Sequence, residues 1–384
     1  MTAATQPNSG DIKIVPLSRQ GPELRRFLRV PYSIYRYDPN WVAPLLIDAR
    51  KVLSDSNPFF EHAEMRLWVA VRQGRDLGRV AGIIDRTHNT FHNDAAAFFG
   101  FFESVNDLGV GRALFESVVD WARQNGMRRV LGPMNPSTNE TCGLLIDGGN
   151  DPPTFMMPYN PAYYAELITA AGFTKAKDLL AFYVDVARCP LARLDRIAAK
   201  VRQRYPEVRL KPVKRATLAA DLAKIKKVYN SAWERNWGFV PMTDAEINFL
   251  AHRLKPIFME GLVWLAEVGD EPVGFMLALP DFNIVLRPLR GRLLTWRIVK
   301  VIPYLLGLKT PTRCRVLILG VRADWRGRGL EGAMLSEGFK VGIAAGITEA
   351  EASWVLEDNE PMVRLMEFFG GRVYRRYRIY ERAV

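Results

Sequence analysis

A mixed-sheet α/β (α+β) fold built twice over is what the amino-acid sequence predicts, and three observations predict it. Apolar strand-like runs and amphipathic helical runs follow one another in the same order in both halves. Matching residues recur in that order. Trp68 in LWVAV parallels Trp264 in VWLAEV, Gly109 parallels Gly329, and Ala170-Ala171-Gly172-Phe173 parallels Phe368-Phe369-Gly370-Gly371. The chain is also long, 384 residues, more than a single hydrophobic core ordinarily serves.

Residues 1–10 read as a flexible N-terminus. The first half, 11–188, begins with strand Ile12–Leu17 and helix Glu23–Tyr35, whose Leu24, Phe27, Leu28 and Ile34 share a face. After a turn at Asp38-Pro39-Asn40 comes a helix from Pro44 to about Leu53, stopped by Asn57-Pro58. Arg66–Val71 and Gly78–Ile84 make a hairpin, Ala95–Glu103 a buried strand, Val110–Gln124 an amphipathic helix and Arg128–Leu131 a strand. A polar stretch, 132–160, precedes a helix over 161–171 and a strand over Leu179–Val186. A helical linker, 189–206, leads to the second half, 207–384, which repeats the order: strand Val208–Val213, helices Leu218–Glu234 and Asp244–Ile257, a hairpin around Gly269-Asp270-Glu271, strand Val316–Val321, a helix to Ala345, strand Ala350–Val355, helix Glu360–Phe369 and strand Tyr374–Glu381. The second half carries an insertion, 281–311, in which Arg290–Leu306 suits one amphipathic helix kinked at Pro303.

Composition narrows the partners. Cys142, Cys189 and Cys314 form no disulfide framework, and His62, His88, His92 and His252 no zinc pattern, so a cytoplasmic protein without a metal is expected. No apolar run reaches the ~20 residues that cross a bilayer, and no signal peptide is evident. Nine of the twelve net positive charges fall in 282–323, where Asp and Glu are absent. An anionic partner follows. That segment is mostly apolar and lacks polar base readers, so nucleic acid is not expected; peripheral binding to an anionic membrane surface through 283–309, and packing against another part of the protein, both fit.

The chemistry centres on Val321–Met334. Strand, Arg326-Gly327-Arg328-Gly329-Leu330 turn and helix together form a concavity of backbone N–H groups with two full charges, suited to a pyrophosphate. An ordinary arginine- and glycine-rich turn capping a helix reads the same residues without a ligand. The spacing is that of neither a P-loop nor a dinucleotide fingerprint.

This loop resembles the Arg-x-x-Gly-x-Gly/Ala motif of the GNAT acyltransferase superfamily, with Glu331 at the final small-residue position. The strand and helix order resembles the GNAT fold taken twice. Asn57–Glu64, Phe98–Glu103, Gly132-Pro133-Met134-Asn135, Asn236–Pro241, Leu279–Asn283 and Tyr377–Tyr380 resemble a bacterial family of tandem GNAT-like proteins, and the bacterial ceramide synthases of GNAT type are similar in size and class.

The resemblance implies a coenzyme A site at Val321, Arg326–Leu330 and Asn359, and acyl transfer from acyl-CoA to an amine, with a lipid amine such as a sphingoid base expected. Asn359 also reads as a plain helix N-cap. A helix tyrosine common in the family is replaced by Met366. For proton transfer the candidates are Glu103, His92, Tyr163 and Tyr377; a glutamate at a strand end or a tyrosine alternating in a strand also has plain structural readings. Asn135, Ser137, Asn139, Glu140, Tyr159, Tyr164 and Trp237 are the candidates for the acceptor pocket. The first half has Asn106 where the motif has Arg or Gln, a weaker anion loop. A ligand-binding protein on a degenerate GNAT scaffold and an acetyltransferase for a small amine are the alternative readings. Oligomeric state is not readable from these residues.

Overall fold

The structure, a computed structural model, describes residues 11–384 apart from Arg235. The expectation for 1–10 falls outside the described residues. In chain order the strands are β1 (Lys13–Leu17), β2 (Ala63–Arg72), β3 (Arg75–Asp85), β4 (Ala96–Ser104), β5 (Arg129–Gly132), β6 (Met134–Asn135), β7 (Thr141–Cys142), β8 (Leu144–Asp147), β9 (Thr174–Asp185), β10 (Val208–Pro212), β11 (Val263–Val268), β12 (Glu271–Pro280), β13 (Arg313–Val321), β14 (Glu349–Leu356) and β15 (Arg372–Ala383). The helices are α1 (Gly21–Ile34), α2 (Leu46–Leu53), α3 (Arg86–His92), α4 (Leu108–Gln124), α5 (Tyr164–Ala170), α6 (Leu191–Arg204), α7 (Leu218–Ala232), α8 (Asp244–Leu254), α9 (Phe282–Leu286), α10 (Ile302–Leu305), α11 (Leu330–Ala344) and α12 (Glu360–Phe368).

One sheet of 13 strands runs through both halves, in the order β1-β2-β3-β4-β5-β15-β9-β14-β13-β12-β11-β10, with β8 paired to β15. Read from either end, four antiparallel or parallel neighbours lead to a fifth strand, and the fifth strand then pairs with the last strand of the opposite half. Tyr380 of β15 faces Gly132 of β5, while Ala352 of β14 faces Phe182 of β9. The halves 11–188 and 207–384 read from the sequence are thus each short of their own last strand and hold the other's. Periodicity reports which residues of a strand are buried and is silent on which strand lies beside it.

Charge fastens this seam. Asp178 of β9, 1% exposed, accepts from Arg378 Nε at 2.7 Å across to β15. Arg375, also wholly buried, donates to the carbonyls of Gly148, Asp151 and Pro152 and so ties the polar stretch to β15.

Helices cover both faces. α4 lays Val110, Leu114, Phe115, Val118 and Trp121 on the first half of the sheet, and α6 packs with α11 over the second. The linker expected over 189–206 is therefore part of the second half's core. The insertion differs from expectation: Arg290–Leu306 is not one helix but a succession of short turns. Pro288 and Pro303 supply no amide donors, and Gly291 sits at φ +77° with its Cα against Tyr32 and the Pro44 carbonyl, where a Cβ would come within 2.1 Å of the Tyr32 hydroxyl. Chain breaks chosen for packing override the apolar periodicity.

Candidate functional site

The site grows from a divergence in the second half. β13 and β14 run parallel only over Arg313–Val316 and Glu349–Ala352. Beyond that they part, and β13 carries a bulge: Leu277 faces Ile318 while Ala278 faces Val316, which leaves Leu317 as the extra residue. A bulge frees backbone groups from the ladder and re-aims them. The opening is a cavity of about 230 Å³, lined by β13 and β14 residues, by Met362 and Met366 of α12, by Trp233 and Trp237, and by Asn139, Glu140 and Met156 from the first half. Most of its wall is apolar.

Glu140 is the one carboxylate among the described residues that line it. Burial pushes its carboxyl above the usual carboxylate range, opposed by Arg253, which donates to it and clamps Asp48 through two further bonds of 3.0 Å. Next to it the Tyr229 hydroxyl donates to Asn139 Oδ1 at 2.6 Å. Burial raises the Tyr229 pKa far above its ordinary value, so the hydroxyl stays protonated. Thr138 donates to the Gly238 carbonyl and Asn139 Nδ2 to that of Val240, which stitches the polar stretch of the first half to the second-half segment 238–240. Arg315, 2% exposed, closes the inner end; it donates to the carbonyls of Phe155 and Met156 at 3.0 Å each and to Ser353 Oγ, beside the buried Glu351.

Of the acceptor-pocket candidates, Asn139, Glu140 and Trp237 line the cavity. Asn135, Ser137, Tyr159 and Tyr164 do not. Asn135 accepts from the Phe101 amide, Ser137 Oγ from the Asn139 amide, Tyr159 donates to Asp38, and Tyr164 is buried in the first half. None of the four proton-transfer candidates lines it. Glu103 is enclosed in the first half with Tyr164, whose hydroxyl donates to it at 2.8 Å, and with Arg79 at 3.7 Å. Tyr163 donates to the Ser104 carbonyl, His92 Nε2 meets the Phe239 carbonyl at 2.8 Å, and Tyr377 lies fully buried in the seam. The structure therefore does not bring these four residues together with the second-half cavity.

The anion loop lies past the end of the cavity, on β13's continuation. Gly327 and Gly329 sit at φ +73° and +85°, and Gly329 caps α11 without any side-chain bond. Arg326 donates to the carbonyls of Ala232 and Val321, and Arg328 stacks over Trp325 at 4.2 Å. Glu331 stands beside its own backbone amide, its carboxyl raised by burial. Asn359 lines the cavity and also caps α12, accepting from the Met362 amide. The first-half counterpart is closed: Asp107 Oδ1 accepts from the amides of Gly109 and Val110 at the start of α4, and Arg72 holds its other oxygen at 2.9 Å. A carboxylate thus occupies the helix terminus where a phosphate would sit.

Arg253, Tyr229 and Arg315 escaped the sequence reading. Arg253 and Tyr229 are ordinary helix residues that nothing adjacent in the chain marks; Arg315 belongs to the basic segment 282–323, but nothing there distinguishes it from its neighbouring cations.

Over 384 residues the chain is 33% identical to the bacterial ceramide synthase of Caulobacter vibrioides (strain NA1000 / CB15N), covering 98% of each protein. The chain belongs to the GNAT acyltransferase family. The pattern of the Acetyltransferase (GNAT) family matches residues 222–370, which contain the divergent strands and the anion loop. Protein YghO of Escherichia coli (strain K12) is 31% identical over 369 residues, 94% of this chain and 93% of that one. Among solved structures, a tandem GNAT protein from the clavulanic acid biosynthesis pathway shares the fold with a TM-score of 0.59 at 12% identity, covering 97% of this chain and 98% of that one. As a GNAT enzyme the protein is an N-acyltransferase that takes acyl-CoA or acetyl-CoA as co-substrate and an amine as acceptor. The uncapped start of α11, with its two glycines and two arginines, is chemically suited to the pyrophosphate of that co-substrate.

Proposed function

We propose that the second-half cleft transfers a long acyl chain from acyl-CoA to the amine of a lipid, a sphingoid-type base, to give an amide. The observation that carries this reading is an apolar cavity of about 230 Å³ with a single carboxylate, Glu140, in its wall. The name of the Caulobacter relative supports the choice of acceptor.

Glu140, with its affinity for protons raised by burial, takes the proton of the ammonium group. The freed amine attacks the thioester carbonyl, and the register shift at Leu317 supports the backbone amides there as donors to its oxygen. As the C–S bond breaks, the surplus proton on the newly bonded nitrogen passes to the departing thiolate, and the Tyr229 hydroxyl in the cavity wall is the candidate to relay it, giving its own proton to sulfur and taking the one from nitrogen. No acyl-enzyme is needed.

The test is mass spectrometry of reactions containing acyl-CoAs of graded chain length and a sphingoid base dispersed in detergent. Amide formation that grows with chain length and falls roughly 100-fold or more in Glu140→Gln supports the proposal. Amide formation untouched by Glu140→Gln, or confined to acetyl-CoA and small amines, overturns it.

A further inference from the structure

The insertion between β12 and β13 has two unlike sides. Its underside is folded down: Phe282, Val285, Leu289 and Val301 are buried against Leu45, Phe155 and Ile257. Its outer side is not. Nine of the fifteen exposed large apolar side chains among the described residues fall between Ile284 and Leu308, with Leu294 at 101%, Trp296 at 76% and Leu308 at 75% exposed. Apolar surface of this extent is a recognition surface unless something covers it.

Charge says what covers it. Arg287, Arg290, Arg292, Lys300 and Lys309 are exposed among these apolar side chains, and no Asp or Glu occurs from 282 to 323. A second copy of the chain seated face to face would set these cations against their own images. Nucleic acid would pay for the cations but leave Leu294, Trp296 and Leu308 in water. An anionic bilayer surface satisfies both, with phosphates for the cations and the acyl boundary for the aliphatic and indole groups.

We propose that the outer side of the 282–309 insertion docks on an anionic membrane surface. It lies on the surface and does not span: no helix among the described residues is long and apolar enough to cross a membrane. The short turns, in place of one helix, present the apolar side chains as a broad pad. The loop bearing Tyr37, 87% exposed, joins the pad through Arg287, which donates to the Pro39 carbonyl at 2.6 Å.

The pad also leans on the cavity. Asn283 Nδ2 donates to the Pro153 carbonyl at 2.9 Å, and the Phe155 amide donates to Asp281 Oδ1 at 2.9 Å. The next residue, Met156, lines the cavity, and Arg315 holds the carbonyls of both. Docking therefore sets the cavity wall close to the bilayer, where a lipid amine would be found. The docking itself does not depend on the acceptor being a lipid.

The test is co-sedimentation of the full chain with phosphatidylcholine vesicles, with and without phosphatidylglycerol, at low and at high salt. Binding confined to the anionic vesicles and weakened by salt is expected. Arg292→Gln with Lys300→Gln should lower it roughly 30-fold, and Leu294→Ser with Trp296→Ser should abolish what salt leaves. These side chains are exposed, so unchanged melting temperatures confirm that the variants fold. Equal pelleting with neutral and anionic vesicles, absence of pelleting with both, or a solution dimer broken by Trp296→Ser without vesicle binding overturns the proposal. Amide formation with detergent-dispersed amine is scored separately, so the enzymatic reading can stand where the docking falls.

Discussion

The Phe101 amide donates to the Asn135 side-chain oxygen at 2.6 Å. Phe101 lies in the β4 bulge, where Arg79 faces Glu103 and Ala81 faces Gly100, the first-half counterpart of the Leu317 bulge. In one half this backbone group is consumed by the protein's own side chain. In the other the same stretch lines a cavity. A Cβ on Gly100 would lie 1.7 Å from the Met134 carbonyl, which shows how tightly the first-half cleft is filled. Among the described residues, the bulge of the second half opens onto a cleft and that of the first half is filled.

Replacing Asn135 with Ala should cost about 1 kcal/mol of stability, because a part-buried amide loses its acceptor. Acyl-CoA affinity should not move. Urea unfolding and calorimetric titration measure the two separately, and an affinity loss would put the co-substrate in the first half.

Arg253→Gln should shift the acid limb of the rate profile upward in pH. Arg253 lowers the Glu140 carboxyl, which burial raises, so its removal leaves burial unopposed. A base must be deprotonated to work; as its pKa climbs, activity is lost at progressively higher pH on the way down. An unmoved acid limb in pH-dependent kcat would remove Glu140 from the proton path.

Glu331→Gln should tighten acyl-CoA binding roughly 3–10-fold, since a carboxylate at the start of α11 competes with phosphate for the same positive helix end. Arg326→Ala should weaken it. Its guanidinium also ties the loop to the carbonyls of Ala232 and Val321, so a lower melting temperature should accompany the loss. Calorimetry on both variants checks the signs.

His62 links the halves. Its ring nitrogens meet Asp85 at 3.0 Å and Glu246 at 3.2 Å, and these partners raise its pKa to about 10. A histidine whose folded pKa exceeds its unfolded value contributes stability that is complete below about 6.5 and is lost as pH rises through the folded pKa. Between those limits the protein should lose stability steadily as the pH rises, and His62→Gln should flatten that slope in unfolding titrations.

How much of this was written locally in the chain can be judged residue by residue. The hairpins, α4 and the glycine turn at Arg326–Leu330 that opens α11 were readable, because alternation, helical period and glycine placement are short-range properties. Asn139 and Glu140 were legible as candidates, since a long polar stretch inside a compact fold is rarely idle, and Trp237 lies in the Asn236–Pro241 segment that carries the resemblance. The surroundings of Glu103 were legible only in part: a carboxylate among phenylalanines announces burial, but its partners Arg79 and Tyr164 come from other elements. Arg253 and Tyr229 were hidden for the same reason in reverse, as their partners lie more than 80 residues away in sequence. The broken insertion was misread because Gly291 is placed by Tyr32, far upstream.

The exchanged strands β9 and β15 have a consequence for how the molecule comes into being. β5 waits for a partner, Arg372–Ala383, some 240 residues further along. Until that segment arrives, the N-terminal sheet keeps a bare edge, open to unwanted strand addition. Expressing either repeat by itself should thus yield insoluble material, and swapping one repeat for that of a relative should fail unless the borrowed strand comes with it. The duplication has made a single inheritance unit: neither copy can drift, be excised or be replaced without its twin.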